Sequence, residues 1–381
     1  MKDYNILYRS IGNRGSHRGL KISLLGDLAF NGSVNKYSFD KVINSQIFGE
    51  ICNSFLVANL ETPIYQTGNQ FNPLKPKNGL HFAERETTKS LLKKLNIKAV
   101  NLANNHVFDL LDDGLHQTIT LLKELDIDYF GAGFEDSELE PKIIEINGCL
   151  VAFLGYCDSS TNPNIPQNVE GRLNIFQKER VEKDINKVRG KVDLIICSLH
   201  WGVDYSFYPT AVQRNIGREL IENGVDVIWG HHTHTVQPIE NYKEGIICYS
   251  LGGIIFGDYI SKGNLKALPK KTKKGIICIL DLVQGTLKAH GTIDRKGNSV
   301  SLTSVNLRYK NDFRLKVLNI SLKYPMLKRL IKIKESFFDR ILEYFCGYYN
   351  NPLTRLTKLR NLKKIGILFR DYKEINKRDK L

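Results

Sequence analysis

Five short apolar runs, each ending on carboxylate, carboxamide or imidazole side chains, constrain this chain more than any other feature. They are LKISLLGD (20–27), SFLVANLE (54–61), IKAVNLANN (97–105), VDLIICSLHWG (192–202) and VDVIWGHHTH (225–234). Nearly continuous apolar runs of this length, closed by polar residues, are the pattern of strands covered on both faces, as in a parallel sheet. Between them lie stretches of helical period. ERETTKSLLKKLN sets Thr88, Leu91, Leu92 and Leu95 on one face, and DDGLHQTITLLKELD and TAVQRNIGRELIEN repeat the spacing. Strands alternating with helices give an α/β fold with a largely parallel sheet.

Two hairpins break that alternation. PKIIEINGCLVAFLGY turns at Asn147-Gly148, a dipeptide that accepts the left-handed backbone of a tight turn, and GIICILDLVQGTLKAHGTI repeats the arrangement around Gln284-Gly285. Their extra strands suit a second sheet packed on the first.

With 381 residues the chain can bury a large core. Its seven cysteines form no Cys-x-x-Cys pair and sit mostly inside apolar runs, the usage of a reducing compartment rather than of a disulfide framework. No stretch reaches the roughly 18 apolar residues of a membrane span, and the N-terminus has no apolar run of signal-peptide length. The expectation is a cytoplasmic protein. The net charge is +15, and 16 Lys/Arg against 6 Asp/Glu between Ser321 and Leu381 place ten of those charges in the tail. There Leu327, Leu330, Ile331, Phe337, Phe338, Ile341, Leu342 and Phe345 recur at helical spacing. The reading is a main domain over 20–310 and a basic helical extension over 311–381.

In an α/β sheet, chemistry gathers at the carboxyl ends of strands. Here those ends carry Asp27, Asn59 and Glu61, Asn104-Asn105-His106, His200, and His231, His232 and His234. One at a time each has an ordinary account: Asp27 opens a turn, Asn-Asn-His caps a helix, His200 packs beside Trp201. Together they suit a borderline divalent ion such as Mn²⁺, Fe²⁺ or Zn²⁺. In an extended strand His232 and His234 point to one side and His231 to the other.

With these motifs in hand, the chain resembles the CapA family of capsule (poly-γ-glutamate) biosynthesis proteins, relatives of the calcineurin-like metallophosphoesterases. The matching residues are GD at 26–27, NLETP at 59–63, NLANNHVFD at 101–109, GAG at 131–133, HWGVDY at 200–205, GHHTHTVQPIE at 230–240 and YSLGGIIF at 249–256. The resemblance implies a metallophosphoesterase sandwich of two β-sheets flanked by helices. It implies Asp27, Glu61, Asn105, His200, His232 and His234 as metal ligands, with Glu61 the bridge. His106 would be the general acid, Asp109 its orienting partner, and ion-activated water the nucleophile; Asn59, Asn104 and His231 would support the ligands. The chain departs from the wider superfamily where Leu28-Ala29 follow Asp27 in place of a histidine, which removes one nitrogen ligand, so one ion or two are expected. Gly253 stands where the family has Asn, and Thr233 where it has Pro.

Two readings stay open: a metal-dependent hydrolase acting on a phosphoester or an anionic capsule polymer, or a non-catalytic, metal-containing polymer-binding and export factor working with the capsule synthesis machinery. The basic tail suits peripheral contact with an anionic membrane at its inner face. Nucleic acid is the weaker partner, because no recognition module accompanies the charge.

Overall fold

A computed structural model describes residues 20–303 apart from 32–33, 35–47, 50, 52, 77–78, 257–258, 262–263, 267–271, 273, 282–285 and 297–298, and Met326 as well. The expected extension over 311–381 (Met326 apart), the boundary near 310 and the Gln284-Gly285 turn lie outside the described residues.

The five apolar runs are all strands. In chain order the elements that build the frame are β1 (Lys21–Ala29), β2 (Phe55–Leu60), α1 (Arg85–Lys94), β3 (Ile97–Asn101), α2 (Leu111–Glu124), β4 (Asp128–Phe130), β5 (Lys142–Ile146), β6 (Cys149–Cys157), α3 (Lys178–Val188), β7 (Leu194–His200), α4 (Ala211–Glu222), β8 (Val227–His231), β9 (Ile239–Tyr242), β10 (Gly245–Cys248), β11 (Gly253–Phe256), β12 (Lys274–Asp281), β13 (Thr286–Lys296) and β14 (Ser299–Thr303). Helix α3 has no counterpart in the sequence reading, because its apolar face rests on only Val181, Ile185 and Val188 among charged neighbours.

Two sheets result. The first runs β14-β13-β12-β1-β2-β3-β4, with β11 also paired to β1, and the second runs β9-β10-β8-β7-β6-β5. The Asn147-Gly148 hairpin forms as expected: β5 and β6 pair antiparallel, and both turn residues adopt positive φ. Strand β1 pairs antiparallel with β12 up to Leu24 and parallel with β11 from Asp27. This change of partner depends on Gly26, where a Cβ would lie 1.9 Å from the Gly252 carbonyl oxygen.

Ile22, Leu24, Val57 and Ala99 of the first sheet meet Val151, Phe153, Ile196, Val227 and Trp229 of the second in an interior apolar layer. Trp229 Nε1 crosses that layer to donate to the Leu25 carbonyl, 2.8 Å away. Helices α1 and α2 cover the outer face of the first sheet through Leu91, Leu92, Leu115 and Leu122. Helices α3 and α4 cover the second through Val181, Ile185, Leu220 and Ile221. The protein is thus a mixed α/β sandwich of two sheets flanked by helices. Cys149, Cys157, Cys197, Cys248 and Cys278 are free and buried, the packing role their sequence context implies.

Candidate metal centre at the joined strand ends

Strands β1, β2 and β3 run parallel, as do β6, β7 and β8 in the other sheet. Their carboxyl ends therefore deliver side chains to one edge of the sandwich. In the first sheet Asp27 is in register with Asn59, and Asn59 with Asn101. In-register residues on parallel neighbours share a face, and these three form a polar row. Asn101 Nδ2 donates to Asn59 Oδ1 at 2.9 Å, and Asn59 Nδ2 donates to Asp27 Oδ1 at 2.9 Å. The row fixes the Asp27 carboxylate from behind. Gly155 on the facing sheet leaves room for it, since a Cβ there would stand 2.2 Å from Asn101 Oδ1. Asn101 was not singled out from sequence, although it sits in the NLANN run at the depth of Asn59.

Asp27, Glu61 and His234 each present a ligand atom within 4.8 Å of one another, and all three are buried. His234 Nδ1 lies 3.2 Å from Asp27 Oδ2 and 3.9 Å from Glu61 Oε2. On its other side Glu61 Oε1 lies 3.6 Å from His200 Nε2, which in turn contacts Asn105 Oδ1 at 3.0 Å. Glu61 therefore stands between two sets of donors. Its two oxygens, and Nδ1 of both His232 and His234, are buried without a hydrogen-bond partner among the described residues. A buried polar atom left this way costs on the order of 1–3 kcal/mol, and more when charged.

The opening histidines reach the edge by a route other than a regular strand. Strand β8 stops at His231, and His232 and His234 take left-handed backbone conformations with φ of 82° and 53°. The expectation that an extended backbone sets these two on one side is corrected: the chain curls there, because the donors must meet across the gap between the sheets. The His232 backbone N–H donates to Asp27 Oδ2 at 3.2 Å, and its Nε2 lies 3.4 Å from Asp204 Oδ1. His231 packs edge-on against Trp229 and sets Nδ1 3.2 Å from Asp27 Oδ1. It stands outside the Asp27, Glu61, His234 group.

Behind the centre, Asn104 is a bracket. It donates to the Leu60 carbonyl and accepts from the His106 backbone N–H. His106 Nδ1 meets Asp109 Oδ2 at 2.7 Å. Two residues absent from the sequence reading complete this cluster. Lys75 Nζ donates to Asp109 Oδ1 at 2.6 Å, and the His81 ring stacks on His106 at 4.2 Å. Neither Lys75 nor His81 lies in a strand or helix, so no periodicity marks them.

The electrostatics of the edge follow from burial. Burial works against ionisation of Asp27, but His231 and His234 beside it hold its carboxyl well below the usual range. Burial, with the Asp27 charge adding to it, pushes Glu61 well above its ordinary value. For His234 burial favours the neutral ring, yet Glu61 and Asp27 overcome it and raise the imidazolium to about 9. His106, His200 and His232 are all lowered, chiefly by burial. Two carboxylates compressed together and sharing one imidazolium make a site that gains by exchanging its protons for a cation.

Residues 21–258 match the family described as bacterial capsule synthesis protein PGA_cap. Over 247 residues the chain is 30% identical to the capsule biosynthesis protein CapA of Bacillus anthracis, a match covering 62% of this chain and 60% of that protein. It is 29% identical over 249 residues to the PGA biosynthesis protein CapA of Bacillus subtilis (strain 168), covering 62% and 63% respectively. The chain thus spans about three-fifths of the length of the curated relatives it matches. Among solved structures, the 5′-nucleotidase precursor of Thermus thermophilus superposes with a TM-score of 0.39 at 14% identity, covering 82% of this chain and 60% of that one. With more than half of its length matched, the chain belongs to the bacterial capsule synthesis protein family PGA_cap.

Proposed function

We propose that this protein serves capsule or poly-glutamate synthesis as a metal-dependent hydrolase with a phosphoesterase-like centre. The relatives' names supply the biological setting. The observation that carries the chemistry is Glu61, whose two partnerless oxygens each face a separate set of donors. The donor set fits a divalent ion. Asp27, Glu61 and His234 would hold one, and Asn105, His200 and His232 with the far oxygen of Glu61 would hold a second. Carboxylate, carboxamide and imidazole together suit Mn²⁺, Zn²⁺ or Fe²⁺. An ion there would supply Lewis acidity and lower the pKa of water.

The chain's own residues account for the rest. His106 gives its Nδ1–H to Asp109, so Nε2 is the nitrogen left for chemistry and carries a proton only when the ring is the imidazolium. As water adds its oxygen to phosphorus and releases a proton to solvent, the phosphorus–oxygen bond breaks and the departing ester oxygen takes the Nε2 proton of the imidazolium, which leaves His106 as its neutral Nδ1–H tautomer. General acids of this kind contribute about 10²–10⁴-fold. The test uses Mn²⁺-loaded protein, an aryl phosphoester series and His106→Ala. A loss of about 100-fold or more on poor leaving groups supports the reading, and equal rates in both proteins refute it.

A second reading, a metal-containing polymer-binding factor, draws on one observation. Ala29 occupies the place of the superfamily's first histidine and packs its methyl against Phe256. This reading stands if the polymer binds and no metal supports bond cleavage.

A further inference from the structure

We propose that Lys75 is a positioning residue that holds His106 in a single tautomer and orientation. The inference rests on the reading of His106 as the proton donor. Lys75 comes from a stretch without regular structure, yet its side chain is only 5% exposed. An ammonium is withdrawn from water at a cost of several kcal/mol unless partners replace the lost hydration. If packing were the only demand at this position, an apolar side chain would meet it better.

The partners explain the expense. Lys75 Nζ donates to Asp109 Oδ1 at 2.6 Å and to the Asn105 carbonyl at 2.5 Å. The other Asp109 oxygen, Oδ2, receives the His81 backbone N–H at 2.6 Å and lies 2.7 Å from His106 Nδ1. Lys75 Nζ also lies 3.3 Å from that same Nδ1. One ring nitrogen cannot donate to Asp109 and accept from Lys75 at once. The shorter contact to a carboxylate prevails, so Nδ1 carries the hydrogen and Nε2 is the nitrogen left for chemistry. Lys75 makes this arrangement unique by occupying Oδ1. Without it, Asp109 would be a fully buried carboxylate with one unpaired oxygen, free to turn that oxygen to His106 or to take up a proton itself.

The loop is anchored to match. Asn72 donates its backbone N–H to the Asp109 carbonyl at 3.0 Å and its Nδ2 to the Asn164 carbonyl at 2.9 Å. Its Oδ1 accepts from the Leu74 backbone N–H at 2.9 Å. His81 stacks on the ring of His106, and Lys75 meets the same ring at its Nδ1 edge.

The experiment has two readouts. Long-range ¹H–¹⁵N correlation spectra of metal-free protein, with His106→Ala used for assignment, report the His106 tautomer without any reaction. At a pH where the ring is neutral, wild type should show Nδ1–H alone, and Lys75→Met and Lys75→Gln should show a mixture. Kinetics on Mn²⁺-loaded protein compare a nitrophenyl phosphoester with an alkyl phosphoester. Lys75→Met should slow kcat on the alkyl ester about ten-fold more than on the nitrophenyl ester, with KM within about two-fold, because only the poor leaving group needs the proton. An unchanged tautomer in both variants, or equal slowing of both esters, overturns the proposal. So does a neutral wild-type ring whose single hydrogen sits on Nε2, a result that needs no variant. If wild type cleaves neither ester, the hydrolase reading fails, and the tautomer spectra still decide the role of Lys75.

Discussion

Replacing Glu61 with Gln should separate a ligand from a structural residue by the sign of its effect. Oε1 of Glu61 faces His200 and Oε2 faces His234, so the substitution removes the carboxylate that both donor sets face. At a metal concentration 100 times the dissociation constant, binding stabilises the folded protein by about 2.7 kcal/mol. For a domain of this size that is a rise in Tm of roughly 4–5 °C. If the substitution weakens binding 100-fold, the same concentration yields only about 0.4 kcal/mol, a rise of roughly 1 °C. The metal-free variant behaves oppositely. Glu61 is buried with no hydrogen-bond partner for either oxygen among the described residues, and its carboxyl is pushed well above the ordinary range. A neutral amide removes the burden of a buried charge, so metal-free Glu61→Gln should be at least as stable as wild type. Differential scanning calorimetry with and without Mn²⁺ measures both quantities. A variant that is less stable without metal, yet keeps the full Mn²⁺-induced shift, would refute the assignment.

Further expectations concern the same edge and its scaffold. His234 is held up at about 9, so at pH 7.5 it retains a proton that a metal must displace. Mn²⁺ titration in buffers of different ionisation enthalpy should therefore show proton release, and affinity should rise with pH up to about 9. The raised His234 value also means that its contribution to metal-free stability is complete below its ordinary 6.5 and is lost as pH rises through about 9, which urea titrations across that window would detect. Gly26→Ala drives a methyl to 1.9 Å from the Gly252 carbonyl oxygen and should cost about 3 kcal/mol or more in urea unfolding. A cost below about 1 kcal/mol would mean the β1–β11 approach is loose.

The strands and the donor types were legible in the sequence because each strand is a compact apolar run and its ligand follows at once. Asp27, Glu61, His200 and the histidine run required no long-range information to suspect. What stayed hidden depends on contacts across the fold. Asn101 belongs to the site only because parallel pairing aligns it with Asn59 and Asp27. Lys75 and His81 reach His106 from a loop that has no period to read. The curl at His232 and His234 was hidden too, since sequence spacing alone suggests a continued strand while the geometry of two converging sheets demands left-handed residues. Charged α3 escaped because only three of its residues form the apolar stripe.

The most direct test of the centre is anomalous diffraction at the manganese edge from crystals of Mn²⁺-loaded protein. The account predicts a peak among Asp27, Glu61 and His234, with the second ion, where bound, on the Asn105 and His200 side of Glu61. Saturating Mn²⁺ with no peak at this edge, or a peak only elsewhere on the chain, would contradict it.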